Sequence, residues 1–136
     1  MRSIKGWVHD RRGDMAETAV TLPVVLLATF AMINLALAGF ASVNAANAAN
    51  YGARIGSVSQ ENPAAVAASA ANQMISNAPI GKYTVSSSGG GEPGVLLAVR
   101  VDWSVTNFFR GLLHFFGADV ANFSGTSVAY FRQEGW

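Results

Sequence analysis

The sequence contains no cysteine and few charged residues. Only 12% of its 136 residues are charged, about half of the ~25% that is usual in soluble domains. The absence of cysteine excludes disulfides and thiolate metal ligands, and it fits any redox compartment. With only His9 and His114 as histidines, a metal or histidine-based site would depend mostly on carboxylates. A net charge of +1 does not point to nucleic acid as a partner.

Sequence motifs of catalysis are missing as well. There is no G-x-S-x-G, no H-E-x-x-H, no Walker lysine and no paired His/Cys spacing. The glycines of Ser88–Gly91 do not open a helix with a phosphate-binding lysine. Arg100 and Asp102 share one strand face and are expected to form a solvated surface pair. The sequence therefore predicts a protein that is not an enzyme, without cofactor, metal site or small-molecule substrate.

What the sequence has in abundance is an apolar stretch near its N-terminus. No charge occurs between Glu17 and Arg54. The apolar part of this stretch, from Ala19 to about Val43, exceeds the ~20 residues that span a hydrocarbon core of ~30 Å. It is also longer than the 7–15 apolar residues of a secretory signal peptide. The stretch predicts a single transmembrane helix.

Basic residues precede this helix and predict its orientation. Four of the first twelve residues are basic: Arg2, Lys5, Arg11 and Arg12. Because positive charge is enriched on the cytoplasmic side of membrane spans, residues 1–13 are expected to be a basic cytoplasmic leader. The C-terminal part is then expected on the opposite side of the membrane.

Two acidic residues mark the expected start of the helix. Asp14 and Glu17 have the D-x-x-E spacing of a capping box, and their carboxylates would face the positive end of the helix dipole. Pro23 lacks a backbone N–H and is expected to kink the helix. No proline interrupts the Ala-rich sequence that follows. A helix is therefore predicted over residues 14–57, with its first half in the membrane.

Small residues recur along the second half of this helix, at steps of three and four residues. Such a stripe lets helix backbones approach closely. Asn44, Asn47 and Asn50 recur every third residue and are able to form hydrogen bonds across an interface. Two interpretations are open: lateral packing against helices of other subunits, or packing on the chain's own domain. The small residues of the stripe are Ala38, Ser42, Ala45, Ala49, Gly52 and Gly56.

Residues 58–136 are expected to form an extracytoplasmic α+β domain. A second helix is predicted from Pro63 to about Asn77. Strands are predicted at 82–87, 94–105 and 123–131. The middle strand alternates apolar and mixed residues, which is typical of a sheet covered on one side, and the two helices are the available cover. The predicted fold class is α+β: a long N-terminal transmembrane helix that extends into a small domain, where a second helix packs on a short, mostly antiparallel sheet.

The segment Phe108–Phe116 is the most apolar part of this domain. At helical spacing Phe108, Leu112 and Phe116 stack, with Phe109 and Leu113 beside them. This pattern is consistent with a short helix in the domain core. It is equally consistent with an interfacial segment or docking patch, because contiguous exposed apolar area usually marks an interaction site. His114, within the segment, is expected to be a packed or surface histidine and not a ligand.

The N-terminal half also carries a pattern of motifs. A basic leader and Gly13 precede Glu17, Pro23 follows Glu17 by six residues within the apolar run, and the Ala-rich helix leads to Gly52-Ala53-Arg54. In these features residues 11–56 resemble the TadE-like family of pilus-assembly proteins, which are relatives of type IV pilins. The end of the chain, Thr126–Glu134, looks like the family's C-terminal strand.

This resemblance implies a structural or assembly subunit of a Tad-type, type IV-like pilus, as a minor pilin or pseudopilin. It would be anchored by its N-terminal helix in a bacterial cell membrane as a single-pass protein. Its partners would be membrane lipid and other pilin-like or Tad assembly subunits. Alternatives are an uncleaved membrane-anchored scaffold of a secretion apparatus and a major filament subunit. A membrane-tethered ligand-binding domain is a further alternative.

The resemblance also implies a role for the glutamate and leaves processing open. In pilin relatives a peptidase removes the leader, and the glutamate, five residues after the cut, neutralises the new N-terminal amine of a neighbouring subunit. The processing candidates here are Arg12, Gly13 and Asp14. A cut after Gly13 would make Glu17 the fourth residue and not the fifth. A cut after Arg12 would make Glu17 the fifth residue, but arginine would then stand before the cut, where the family has glycine. Glu17 is therefore predicted either to cap the helix or to pair between subunits.

Overall fold

In the computed structural model of the chain, the backbone is described for residues 7–115 and 117–135. Side chains are described for residues 15–135 other than 112 and 116. The chain divides into two compact units, Met1–Asn34 and Leu35–Trp136. The elements are α1 (Trp7–Ser57), α2 (Pro63–Ile75), β1 (Lys82–Gly89), β2 (Leu96–Val105), α3 (Phe109–Phe115) and β3 (Phe123–Arg132). The predicted α+β arrangement is confirmed.

The helix α1 begins at Trp7 and not at Asp14. Only Gly13 is a poor helix former between Trp7 and Glu17, and one glycine costs a helix only ~1 kcal/mol. Glu17 consequently lies in the third turn, away from the free N–H groups of the first turn. In the full chain, therefore, the pair at Asp14 and Glu17 does not stand at a helix start. The side chains of Arg12 and Asp14 and the exposure of Gly13 lie outside what the structure describes.

The first unit consists of α1 alone over its described residues, and Pro23 lies inside the helix. The side chains of residues 15–33 are exposed. The hydroxyl of Thr21 donates a hydrogen bond to the carbonyl oxygen of Glu17 at 2.7 Å. Thr29 donates likewise to Val25 at 2.8 Å. These hydroxyl groups are satisfied within the helix, which suits an apolar surrounding. The kink expected at Pro23 stays a prediction.

The second unit is built on a three-stranded antiparallel sheet in the order β1-β2-β3. Its middle strand, β2, buries Leu97, Val99 and Val101 completely, and each such side chain contributes ~1.5–3 kcal/mol by leaving water. Leu96 and Arg100, which alternate with them, are exposed. The period-2 pattern of the sequence thus predicts both faces of this strand correctly.

The strand β2 begins two residues later than the sequence predicts. Gly94 has a positive φ of 85°, and the backbone N–H of Val95 donates to the carbonyl of Glu92 at 3.1 Å. These two residues belong to the turn between β1 and β2. Val95 is consequently 40% exposed and does not join the buried face.

Small residues of α1 and α2 cover the inner face of the sheet. The alanines of α1 and α2 form one core cluster with the buried side chains of β2. The hydroxyl of Ser87 in β1 donates to the carbonyl of Ala64 in α2 at 2.7 Å, which fixes α2 to the sheet. The buried alanines of this cluster are Ala45, Ala48, Ala49, Ala53, Ala67, Ala71 and Ala129.

The stripe of small residues on α1 faces this core. A Cβ atom at Gly52 would lie 2.5 Å from the carbonyl oxygen of Ala67 in α2. One at Gly56 would lie 2.5 Å from the Cβ of Ala67 and 2.6 Å from a methyl of Leu97. Ser42 is half-buried, and the other members of the stripe, Ala38, Ala45, Ala49, Gly52 and Gly56, are buried. Of the two interpretations of this stripe, packing on the chain's own domain is the one that the structure shows.

The C-terminal residues attach the sheet to the end of α1. The amide nitrogen of the Gln133 side chain donates to the carbonyl of Ser59 at 2.6 Å. The backbone N–H of Glu134 donates to the carbonyl of Ser57 at 2.8 Å. These bonds join residues more than seventy positions apart, and no local pattern in the sequence indicates them.

The close contact at Gly56 yields a test of the packing. Gly56→Ala is expected to destabilise the domain by ~1–3 kcal/mol, because the added methyl overlaps Ala67 and Leu97. The matched control is Gly39→Ala on the same helix, where a Cβ meets nothing within 4 Å. That substitution should be neutral or stabilise by up to ~1 kcal/mol. Thermal unfolding of the full chain in detergent micelles, followed by near-ultraviolet circular dichroism, measures both. Equal stability of the two variants would contradict the packing.

Candidate membrane and assembly surface

The apolar surface of the first unit has the properties of a membrane span. Among the described residues, one helical segment, Met15–Ser57, is long and apolar enough to cross a membrane. Its most apolar 18-residue window has a mean hydropathy of 2.2 and is 17% buried. A core helix of a soluble protein would bury such a surface, whereas here the surface is exposed. Lipid is the natural surrounding of this surface.

In the second unit, α1 has a second face that points away from the core. Phe40, Val43, Tyr51 and Ile55 are exposed there, at steps of three, eight and four residues, and the exposed Val58 follows directly after the helix. They lie on the side of the helix opposite the buried small residues. This outward face is therefore the part of the second half of α1 that another subunit is able to reach.

A groove on this outward face is lined by Tyr51, Ile55 and Val58 and by polar residues next to them. Asn47, Asn50 and Arg54 of α1, together with Met74 of α2, border a cavity of about 500 Å³. The side chain of Asn50 donates to the carbonyl of Ala46 at 2.9 Å, so this amide is used within its own helix. Asn47 is exposed and Asn44 is half-buried. A hydrogen bond from Asn47 to another subunit remains a prediction.

The aromatic segment before β3 forms the short helix α3. Phe108 is 59% exposed and Phe115 is 85% exposed, while Phe109 and Leu113 are half-buried. The interpretation of this segment as a helix is correct, but Phe108 and Phe115 do not belong to the domain core. The side chain of Leu112 and residue Phe116 lie outside the described residues.

A buried amide holds the start of α3 in place. The side chain of Asn107 is 5% exposed, and its oxygen accepts a hydrogen bond from the backbone N–H of Phe109 at 3.0 Å. Its amide nitrogen donates to the carbonyl of Ala121 at 3.3 Å. The backbone N–H of Asn107 donates to the side-chain oxygen of Asn122 at 3.4 Å. Sequence reasoning missed Asn107, although an Asn two residues before a helix is a recognisable capping signal.

The solvent face of the sheet carries one polar cluster. A guanidinium N–H of Arg100 donates to Asp102 at 2.9 Å, and the hydroxyl of Thr126 donates to the same carboxylate. The hydrogen bond and charge of Arg100 lower the pKa of Asp102, and Thr126 lowers it further. The pair predicted from the sequence is therefore present, on the surface. His114, with Asp119 3.7 Å away, is also on the surface.

The described side chains show little that suggests chemistry. Within that part of the chain, no group of three or more His, Asp or Glu side chains is arranged to hold a metal ion. The candidate functional features among the described residues are three surfaces: the exposed span, the outward face of α1 and the exposed phenylalanines of α3.

The comparisons with known proteins concern the helix. The family model described as "TadE-like protein" matches residues 15–54, which lie within α1. This match confirms the resemblance noted from Glu17, Pro23 and Gly52-Ala53-Arg54. No curated protein and no solved structure matches the chain. The α+β part of the second unit beyond α1 lies outside the family match.

The carboxylate on the sheet surface gives a pH-dependent prediction. The pKa of Asp102 is lower in the folded chain than in the unfolded chain. The ionised Asp102 therefore stabilises the folded chain at pH values above the ordinary pKa of an aspartate. This contribution is lost as the pH falls through the folded pKa. Thr126→Val removes one hydrogen bond and should raise the pKa of Asp102, as measured by carboxyl carbon NMR titration. Ser124→Ala on the same strand is the control, and an equal shift in the control would contradict the role of Thr126.

Proposed function

We propose that this chain is a structural subunit of a Tad-type, type IV-like pilus or of its assembly apparatus, in the role of a minor pilin or pseudopilin. The observation that carries the proposal is the division of α1. Its first part is an exposed apolar helix of membrane-spanning length, and its second part is packed by small residues onto an α+β domain. The family match over residues 15–54 supports the same role.

In this proposal the assembly uses the outward face of α1. The small residues are occupied by the chain's own α2 and sheet, so they do not serve a neighbouring subunit. The exposed apolar side chains from Phe40 to Val58 remain for that purpose. Burying such side chains between helices contributes ~25 cal/mol for each Å² of apolar surface removed from water. Within the membrane span, packing would depend on van der Waals contact instead.

The processing state decides what Glu17 does. With the leader in place, α1 continues from Trp7 through Glu17, and the carboxylate lies on the side of a helix turn. After a cut at Arg12 or Gly13, the helix would begin beside Asp14, and Glu17 would enter its first turn. Only then would Glu17 face free N–H groups or the new amine of a neighbour. Capping and inter-subunit pairing therefore both require removal of the leader.

The continuous helix across the candidate cleavage positions favours a second candidate function. A chain that keeps its leader would be a membrane-anchored scaffold of the secretion apparatus and would not enter a filament. Glu17 would then lie near the cytoplasmic end of the span, where a carboxylate reaches the headgroup region at low cost.

The mass of the N-terminus separates these two functions, and Glu17 variants test the mechanism. If the leader is removed, Glu17→Ala and Glu17→Gln should insert into the membrane normally, because neither change shortens the apolar span. Both should lower incorporation into sheared pili several-fold by removing the charge that pairs with an amine. Glu61→Ala, which removes an exposed carboxylate of the domain, is the control. An intact Met1 end, or normal incorporation of both Glu17 variants, would exclude the pairing role.

The outward face of α1 gives a separate test. Ile55→Asp introduces a charge on this face and should reduce co-purification with other pilus subunits several-fold, since the carboxylate would be buried without a partner. Val128→Asp on the solvent face of the sheet is the matched control, because the two side chains are similarly exposed, at 38% and 43%. Both variants should retain the wild-type unfolding temperature. A stronger loss with Val128→Asp would place the interface on the sheet.

A further inference from the structure

We propose that α3 and Phe108 form a second membrane contact, a patch whose exposed phenylalanines enter the surface of the bilayer that α1 crosses. We call Phe108, Gly111 and Phe115 the α3 patch: Gly111 and Phe115 are four residues apart and share one side of α3, and the exposed Phe108 directly precedes this helix. The inference rests on the proposed membrane anchoring of α1. It assigns lipid as the partner of a surface that the pilus role leaves unexplained.

Phe108 lies near the part of α1 where the membrane span is expected to end. Phe108 and Leu37 of α1 line the same cavity, of about 400 Å³. α1 has no charged residue between Glu17 and Arg54, and ~20 helical residues span the hydrocarbon core. A span that starts after Glu17 therefore ends close to Leu37. Phe108 consequently lies at the level where hydrocarbon gives way to lipid headgroups.

The surroundings of Leu37 are apolar on the outside as well. Leu35, which begins the second unit, is 72% exposed, and Phe40 is also exposed. These side chains and Phe108 offer apolar surface in the same part of the second unit. Lipid is the proposed cover of this exposed apolar surface.

Hydrogen bonds of a buried side chain hold α3 in a fixed orientation. The amide of Asn107 holds the start of α3 through hydrogen bonds to Phe109 and Ala121, and Asn122 accepts the backbone N–H of Asn107. This buried attachment fixes the direction in which Phe108 and Phe115 are presented. Transfer of a phenylalanine side chain from water to an apolar surrounding is favourable. Two such side chains supply a useful contact without any change in the fold.

Basic side chains near the α3 patch favour a lipid surface. Arg110, within α3, is exposed, and Lys82 lines the cavity that Phe108 borders. Aromatic rings flanked by basic side chains are typical of the membrane–water interface, where rings lie among the headgroups and cations meet phosphates.

The absence of cysteine from the chain allows a direct test by single-cysteine spin labelling of the full protein in lipid nanodiscs. Gly111→Cys is the main position, because a Cβ there meets nothing within 4 Å and both phenylalanines are retained. Phe115→Cys is the second position. Leu27→Cys reports the span, and Glu92→Cys, in an exposed turn, reports water. Collision with oxygen and with a water-soluble nickel chelate is measured for each label.

Labels at Gly111 and Phe115 are expected to resemble the Leu27 label, with oxygen access high and nickel access several-fold below that of Glu92. Water-like labels on α3 together with a lipid-like Leu27 label would overturn the α3 contact and leave the anchor intact. A water-like Leu27 label would overturn the anchor itself. Labels on α3 that are shielded from both reagents and broadened by neighbouring spins would show that a second copy covers the patch, which would also contradict the proposal.

Discussion

The close approach of α1 and α2 is the contact on which the rest of the second unit depends. At Gly52 and Gly56 the missing side chains let the backbone of α1 reach Ala67 of α2 and Leu97 of the sheet. Any larger residue would separate the layers, and the alanine-lined core would lose its van der Waals contacts. Because this packing takes up the small residues, it also determines which face of α1 is free for other molecules.

The second unit has two exposed apolar surfaces. Along its second half α1 is buried on one side and exposes aromatic and aliphatic side chains on the other. The exposed phenylalanines of α3 form a separate apolar surface, attached through the buried Asn107. Both are consistent with a subunit that works by contact with lipid and with other proteins. The polar cluster of Arg100, Asp102 and Thr126 lies on the solvent face of the sheet, away from the helices, and stabilises that face locally.

Local patterns in the sequence predict most of the elements. Alternation of apolar residues predicts β2 and its buried face, because a side chain's direction in a strand depends only on its neighbours. The length of the apolar run predicts the span for a similar reason, since a hydrocarbon core demands a minimum number of residues. The predicted helix start at Asp14 was wrong, because a capping pattern is a local preference of about 1 kcal/mol and the helix continues on both sides of it.

The sequence by itself determined the anchor, the strands, the small-residue stripe and the resemblance to TadE-like proteins, since each of these is written in consecutive residues. It did not determine what the stripe packs against, because Gly and Ala allow close approach to any helix equally well. Only the tertiary structure decided that the partner is the chain's own α2, and that Phe108 and Phe115 lie outside the core. The physical reason is that burial depends on residues distant in the chain, such as Ala67 for Gly56 and Ala121 for Asn107.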